Sequence, residues 1–139
     1  MEIFPISLKL QGQPCLIVGG GRIAYRKAVL LAKAGAVIHV VAPNIEQNLL
    51  DIVHSTHGQY HADKFDPQIS LSSYRLVIAA TNDKAVNQAV FEACEDLNVL
   101  VNSVDDPPRC RFMVPAIIDR SPLVVSIATN GASPVLARQ

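Results

Sequence analysis

The sequence predicts an α/β fold: a doubly wound, parallel sheet buried on both faces, followed by a small β-hairpin segment. Two observations carry this. Short apolar, β-branched runs alternate with stretches of helical apolar spacing from residue 15 to residue 101. That rhythm stops at Asp105-Asp106-Pro107-Pro108, after which two β-rich runs follow one another with only a short polar turn between them.

Cys15–Val18 is an apolar run without polar alternation, as expected of a central parallel strand. Three glycines follow, then a helix over 23–34 with Ile23, Lys27, Leu30, Leu31 and Ala34 at helical spacing and Gly35 as its stop. Val37–Val41 is the second strand, closed by Ala42-Pro43. Asn44 is placed to cap a helix over 45–56. Residues 59–62 form a weak third strand, and Arg75–Ala80 a strong fourth. Thr81-Asn82-Asp83 caps a helix over 84–96 that carries Val86, Val90, Ala93, Cys94 and Leu97 on one face. Val99–Val101 is the fifth strand. Strand–helix–strand succession implies parallel pairing with right-handed crossovers.

Beyond the two prolines, residues 112–118 and 123–129 read as an antiparallel hairpin around Asp119-Arg120-Ser121-Pro122. An isolated hairpin is not stable, so this one packs on the first domain, on a second subunit, or on both. Ser133-Pro134 reads as an N-cap and first helical residue, and the chain is expected to stop about one turn into that helix. The expected division is residues 1–111 as a nucleotide-binding domain and 112–139 as the appended segment.

Composition narrows the function. Twelve basic residues balance twelve acidic ones in 139, so no global field draws the chain to nucleic acid or an anionic membrane. Three widely spaced cysteines form neither a CxxC pair nor a disulfide framework. A reducing cytoplasm suits them. No run is long enough to cross a bilayer, and the acidic N-terminus is not a signal peptide.

Gly19-Gly20-Gly21-Arg22-Ile23-Ala24 matches G-x-G-x-x-A between a strand and a helix, which makes the fold Rossmann-like. Gly19 permits the tight turn, Gly21 lets a dinucleotide pyrophosphate approach the backbone, and Ala24 allows close helix–strand packing. The helix N-terminus then offers free N–H groups to the phosphates. An acid that would bind the adenine ribose about 20 residues on is absent. The second strand ends at Pro43-Asn44, over which the adenosine is expected to lie. No arginine stands there to receive a 2′-phosphate, which tilts the expected cofactor to NAD. Thr81 ends the fourth strand at the same edge, where it is either a helix cap or a cofactor contact.

Asp105, after the fifth strand, either accepts or delivers a proton beside the nicotinamide or is a solvated turn acid. Arg109, Arg111 and Arg120 suit an anionic substrate, or else are surface charge or subunit ion pairs. His54, His57 and His61 have no cysteine or carboxylate spacing to support a metal site, and none is expected.

The segments PCLIVGGGRIAYRKAVLLAKAGA, VIAATND with VNQAV, VNSVDDP, and PAIIDRSPL with NGASPVLAR occur in this order. Together they resemble the siroheme synthase N-terminal family, precorrin-2 dehydrogenases of which many are also sirohydrochlorin ferrochelatases. The resemblance implies NAD-dependent oxidation of precorrin-2 to sirohydrochlorin, with Fe2+ insertion in bifunctional members. It places the essential aspartate of an N-x-V-D motif at Asp105, as general base. It puts NAD contacts at Arg22, Ile23, Pro43 and Asn44, and gives the arginines, with Asn102, a carboxylate-rich tetrapyrrole to bind. It also implies a homodimer joined through the segment after the nucleotide domain. The alternative reading is a non-catalytic, dimeric NAD(H)-sensing module, which would need the glycines but not Asp105.

Overall fold

The computed structural model describes residues 1–129. The expected helix start at Ser133-Pro134 lies outside the described residues. Among the described residues the chain divides into two compact units, one of Lys9–Phe112 and one of Met1–Leu8 with residues 113–129.

The larger unit is a five-stranded, wholly parallel sheet in the order β3-β2-β1-β4-β5 with helices. Its elements are β1 (Pro14–Val18), α1 (Arg22–Lys33), β2 (Val37–Val41), α2 (Gln47–Ser55), β3 (Tyr60–His61), β4 (Leu76–Ala79), α3 (Lys84–Asp96) and β5 (Leu100–Ser103). β1 is central because both its faces are apolar. Cys15 and Ile17 pack toward α1 and α2, while Leu16 and Val18 pack toward α3. All four side chains are buried. The α/β Rossmann-like fold expected from the sequence is therefore present.

Several elements depart in detail. α1 buries Ala24, Ala28 and Leu31, leaving Ile23 and Leu30 on an exposed flank. Methyl-sized side chains let the helix axis approach the sheet, so the contact face follows the small residues rather than the large ones. α2 begins at Gln47, and Asn44 does not cap it. The Glu46 amide instead donates to the Gly20 carbonyl at 2.8 Å, so the 44–46 segment belongs to the glycine turn. β5 starts one residue later than expected and extends through Asn102 and Ser103, which pair with Ile78 and Ala79 of β4. After it, Pro107–Arg109 forms a single 3-10 turn.

The smaller unit contains the expected hairpin, β6 (Ala116–Arg120) and β7 (Leu123–Ile127), antiparallel with Arg120 opposite Leu123. β6 starts four residues later than the apolar run suggests. Phe112 instead packs against the α/β core of the larger unit, and Pro115 has no N–H to give a ladder. The Ser121-Pro122 turn contains a cis peptide and is held by the Asp119 carboxylate, which accepts from the Ser121 amide and hydroxyl at 3.0 and 2.7 Å. Among the described residues no helix is long and apolar enough to cross a membrane.

Candidate functional site

The sheet order reverses between β1 and β4, and there the carboxyl ends of the strands open onto a cavity of about 780 Å³. Such a switch point is where doubly wound sheets hold ligands. The floor is the turn from β1 into α1. Gly19 adopts φ +132°, and a Cβ there would overlap the Ala80 carbonyl at the end of β4. Gly20 is pressed against the Asn44 carbonyl after β2, where a Cβ would also overlap backbone. Gly21 differs from both: a Cβ there would meet no protein atom within 4 Å. Two glycines therefore pack the turn against its neighbours, and the third faces the open cavity.

α1 starts at Arg22 with Gly21 as N-cap, no capping side chain and no acid in its first turn. Its leading N–H groups and the positive end of its dipole are thus left to an anion. These features fit a dinucleotide pyrophosphate. The bare Gly21 backbone gives it room, and the uncapped turn gives it donors.

The walls come from the other strand ends. Pro43 and Asn44 follow β2, with Lys64 and Phe65 beyond β3 on the same side. Thr81, Asn82 and Asp83 follow β4, and Val104 and Asp105 follow β5. The predicted Gly19, Gly21, Arg22, Ile23, Pro43, Asn44, Thr81 and Asp105 all line this one cavity. Arg22 and Lys64 are its cations, and Asp83 and Asp105 its carboxylates. Asp83 is occupied as the N-cap of α3, accepting from the Ala85 and Val86 amides at 2.9 and 3.4 Å.

Asp105 is exposed, at φ +59°. It is the second central residue of a turn closed by the Asp106 amide on the Ser103 carbonyl at 3.1 Å. Left-handed backbone at that position suits glycine or asparagine, and aspartate tolerates it at some cost. The turn stays anchored because the Val104 amide donates to the Ala79 carbonyl at 3.0 Å.

Asn102, Arg109 and Arg111 do not line the cavity. Buried Asn102 donates its amide to the Phe112 carbonyl at 3.0 Å. Arg109 binds Gln88 and forms an ion pair with Asp106 at 3.0 Å. Arg111 pairs with Glu95 and lies 5.3 Å from the Phe91 ring centroid. The hydrogen bond from Arg111, and then its charge, holds the Glu95 carboxyl below its usual range. Arg120 belongs to the smaller unit, where it donates to the Asp119 carbonyl. Among the described residues, no group of three or more His, Cys, Asp or Glu side chains is placed to hold a metal ion.

Sequence reasoning missed four contributors. Gly20 stood as the variable position of the motif. Lys64 and Phe65 lie in a loop without a motif. Asn87 on α3 touches the site through side-chain bonds to Thr81.

A family model described as "Putative NAD(P)-binding" matches residues 6–116. The chain is 62% identical over 139 residues to a siroheme synthase of Acinetobacter baylyi, covering all of this chain and 30% of that protein. It is 46% identical over 138 residues to a siroheme synthase of Psychrobacter sp., covering 99% of this chain and 28% of that one. Among solved structures it superimposes on SirC, a precorrin-2 dehydrogenase, with a TM-score of 0.80 and 31% identity, covering 97% of this chain and 65% of that one. The chain thus spans less than a third of the length of these two siroheme synthases.

Proposed function

This chain belongs to the NAD(P)-binding family, and from that premise we propose that it oxidises precorrin-2 to sirohydrochlorin with NAD+, as the dehydrogenase part of siroheme formation. The observation that carries the reading is the meeting of the open Gly21 backbone and the Asp105 carboxylate in one cavity. The likeness to SirC and to siroheme synthases across nearly the whole chain supports the substrate.

Bound NAD+ would supply the hydride acceptor. The chain's own part is to bind, orient and take up the proton. The uncapped first turn of α1 and the Gly21 backbone hold the phosphates, with Arg22 adding charge at the rim. Pro43, Asn44, Lys64 and Phe65 form the wall for the adenosine end. At the opposite end Asp105 receives the proton that leaves the substrate as the hydride departs. The left-handed turn leaves Asp105 exposed and lining the cavity, where that carboxylate would meet the substrate.

The smaller unit is proposed to join two copies. Ile117, Leu123, Val124 and Val125 are each at least 42% exposed on the hairpin, and a symmetric pair would cover them. Arg120 of that hairpin would then add a cation for the substrate's carboxylates. Three unpaired cysteines suit a cytoplasmic setting.

The test is anaerobic turnover of precorrin-2 with NAD+, read as NADH absorbance, for the wild type and Asp105→Asn. Loss of a general acid–base group costs about 10²- to 10⁴-fold, so the variant should retain NAD+ affinity and fall by that factor in kcat. Full turnover by Asp105→Asn would remove the aspartate from the mechanism. No turnover by a wild type that still binds NAD+ would favour the sensing module. Addition of Fe2+ as substrate after oxidation then asks whether metal insertion accompanies it.

A further inference from the structure

β4 ends its ladder at Ala79, which pairs with Val18 on one side and Ser103 on the other. Two residues later Thr81 lines the cavity. Its main-chain groups have no strand to pair with, and the side chain of Asn87, one turn into α3, takes the place of one. Asn87 Oδ1 accepts from the Thr81 amide at 3.2 Å, and Asn87 Nδ2 donates to the Thr81 carbonyl at 3.0 Å. A primary amide is suited to this task because it presents one acceptor and one donor side by side. The same two contacts settle which way round the amide lies. The Thr81 hydroxyl has two acceptors in reach, Asn87 Oδ1 at 2.7 Å and the Asp83 carbonyl at 3.0 Å, and it accepts from the Asp83 amide at 3.2 Å.

The clamp has a consequence across the cavity. The backbone it holds is the one that Gly19 faces: a Cβ on Gly19 would lie 3.4 Å from the Thr81 nitrogen and overlap the Ala80 carbonyl. The separation between the glycine turn and the end of β4 is therefore set by where Ala80 and Thr81 are held. Asn87 does not itself line the cavity.

We propose that Asn87 is a positioning residue for dinucleotide binding, acting through the Thr81 backbone to fix the β4 wall. This rests on the reading of the cavity as a dinucleotide site.

The experiment is calorimetric titration with NAD+ of the wild type, Asn87→Ala and Asn87→Asp, with melting midpoints measured alongside. Loss of the clamp hydrogen bonds should weaken NAD+ binding roughly 10- to 100-fold in Asn87→Ala. The melting midpoint should stay well above the titration temperature. Asn87→Asp gives the sharpest readout. An ionised carboxylate cannot donate to the Thr81 carbonyl, but a protonated one restores a donor beside an acceptor. Its affinity relative to wild type should therefore recover as pH falls from about 6 to about 3.5, through the ordinary carboxyl range, and that of Asn87→Ala should not.

NAD+ binding within twofold of wild type in folded Asn87→Ala and Asn87→Asp overturns the proposal. So does an equal, pH-independent loss in both. A folded wild type that binds no NAD+ overturns instead the dinucleotide reading on which the proposal stands.

Discussion

Gly20 lies so close to the backbone carbonyl of Asn44 that no side chain fits between them, and its own carbonyl accepts the Glu46 amide at 2.8 Å. The turn after β1 is thereby fastened to the segment after β2. The glycine whose bareness the protein's own packing requires at this point is thus a different residue from the glycine that faces the cavity.

Substitution should separate the two. Gly20→Ala drives a methyl group into backbone that cannot rotate away. Overpacking of this kind costs about 1–3 kcal/mol, so the melting midpoint should fall by several degrees even without ligand. Gly21→Val places its Cβ where no protein atom stands within 4 Å. Its melting midpoint should stay close to wild type while NAD+ affinity falls roughly 10- to 100-fold. Thermal melts with and without NAD+ check both arms. Unchanged NAD+ affinity in folded Gly21→Val would displace the pyrophosphate from this turn.

That contrast shows where reading the sequence works and where it stops. The β1–turn–α1 unit was legible because strand, glycines and helix are contiguous, and each residue's task depends on its neighbours. Asp83 as the cap of α3 was legible for the same reason. Gly20 was not, since its constraint comes from Asn44, which reaches it only when β2 pairs with β1. Lys64 and Phe65 arrive at the cavity only because β3 pairs on the far side of β2. The positive charge of Arg109 and Arg111 was plain in the sequence. That α3 presents Gln88 and Glu95 to them is a product of helix docking, which no local pattern encodes.

The second prediction concerns pH. His39, on β2, accepts the Gln59 amide on Nδ1 at 3.2 Å, which requires a neutral ring there, and it meets Tyr74 edge to face. Burial, and then the charge of His61, lower its pKa from the ordinary histidine value of 6.5. As pH falls the unfolded chain therefore takes up this proton first. The contribution of His39 to stability is complete above about pH 6.5 and is lost as pH falls through the lower value of the folded state. Melting midpoints between about pH 8 and 5 should show a shallower acid decline in His39→Asn than in the wild type. Equal slopes would remove His39 from the acid response.

The third prediction distinguishes the cysteines. Cys15 and Cys94 are fully buried, and burial pushes their thiols up to about 11 and about 12. Neither should react with a thiol reagent at about pH 8 until the protein unfolds, because the thiolate is the nucleophile. Cys110 is half-buried. Burial raises its pKa, while a backbone hydrogen bond at Ser103 pulls the other way. It should be the thiol that labels slowly in the native protein. Its Sγ lies 3.2 Å from the Ser103 carbonyl and 3.4 Å from that of Asp106, so it bridges the two sides of the Asp105 turn. An adduct on Cys110 should push that turn out of place and lower turnover while NAD+ binding at the glycine end persists. Cys110→Ser keeps a donor at the same place and should stay active and resist the reagent. Peptide mapping of the labelled protein, with activity followed in parallel, checks the assignment. Labelling of Cys110 with turnover intact would show that the turn holds Asp105 without this bridge.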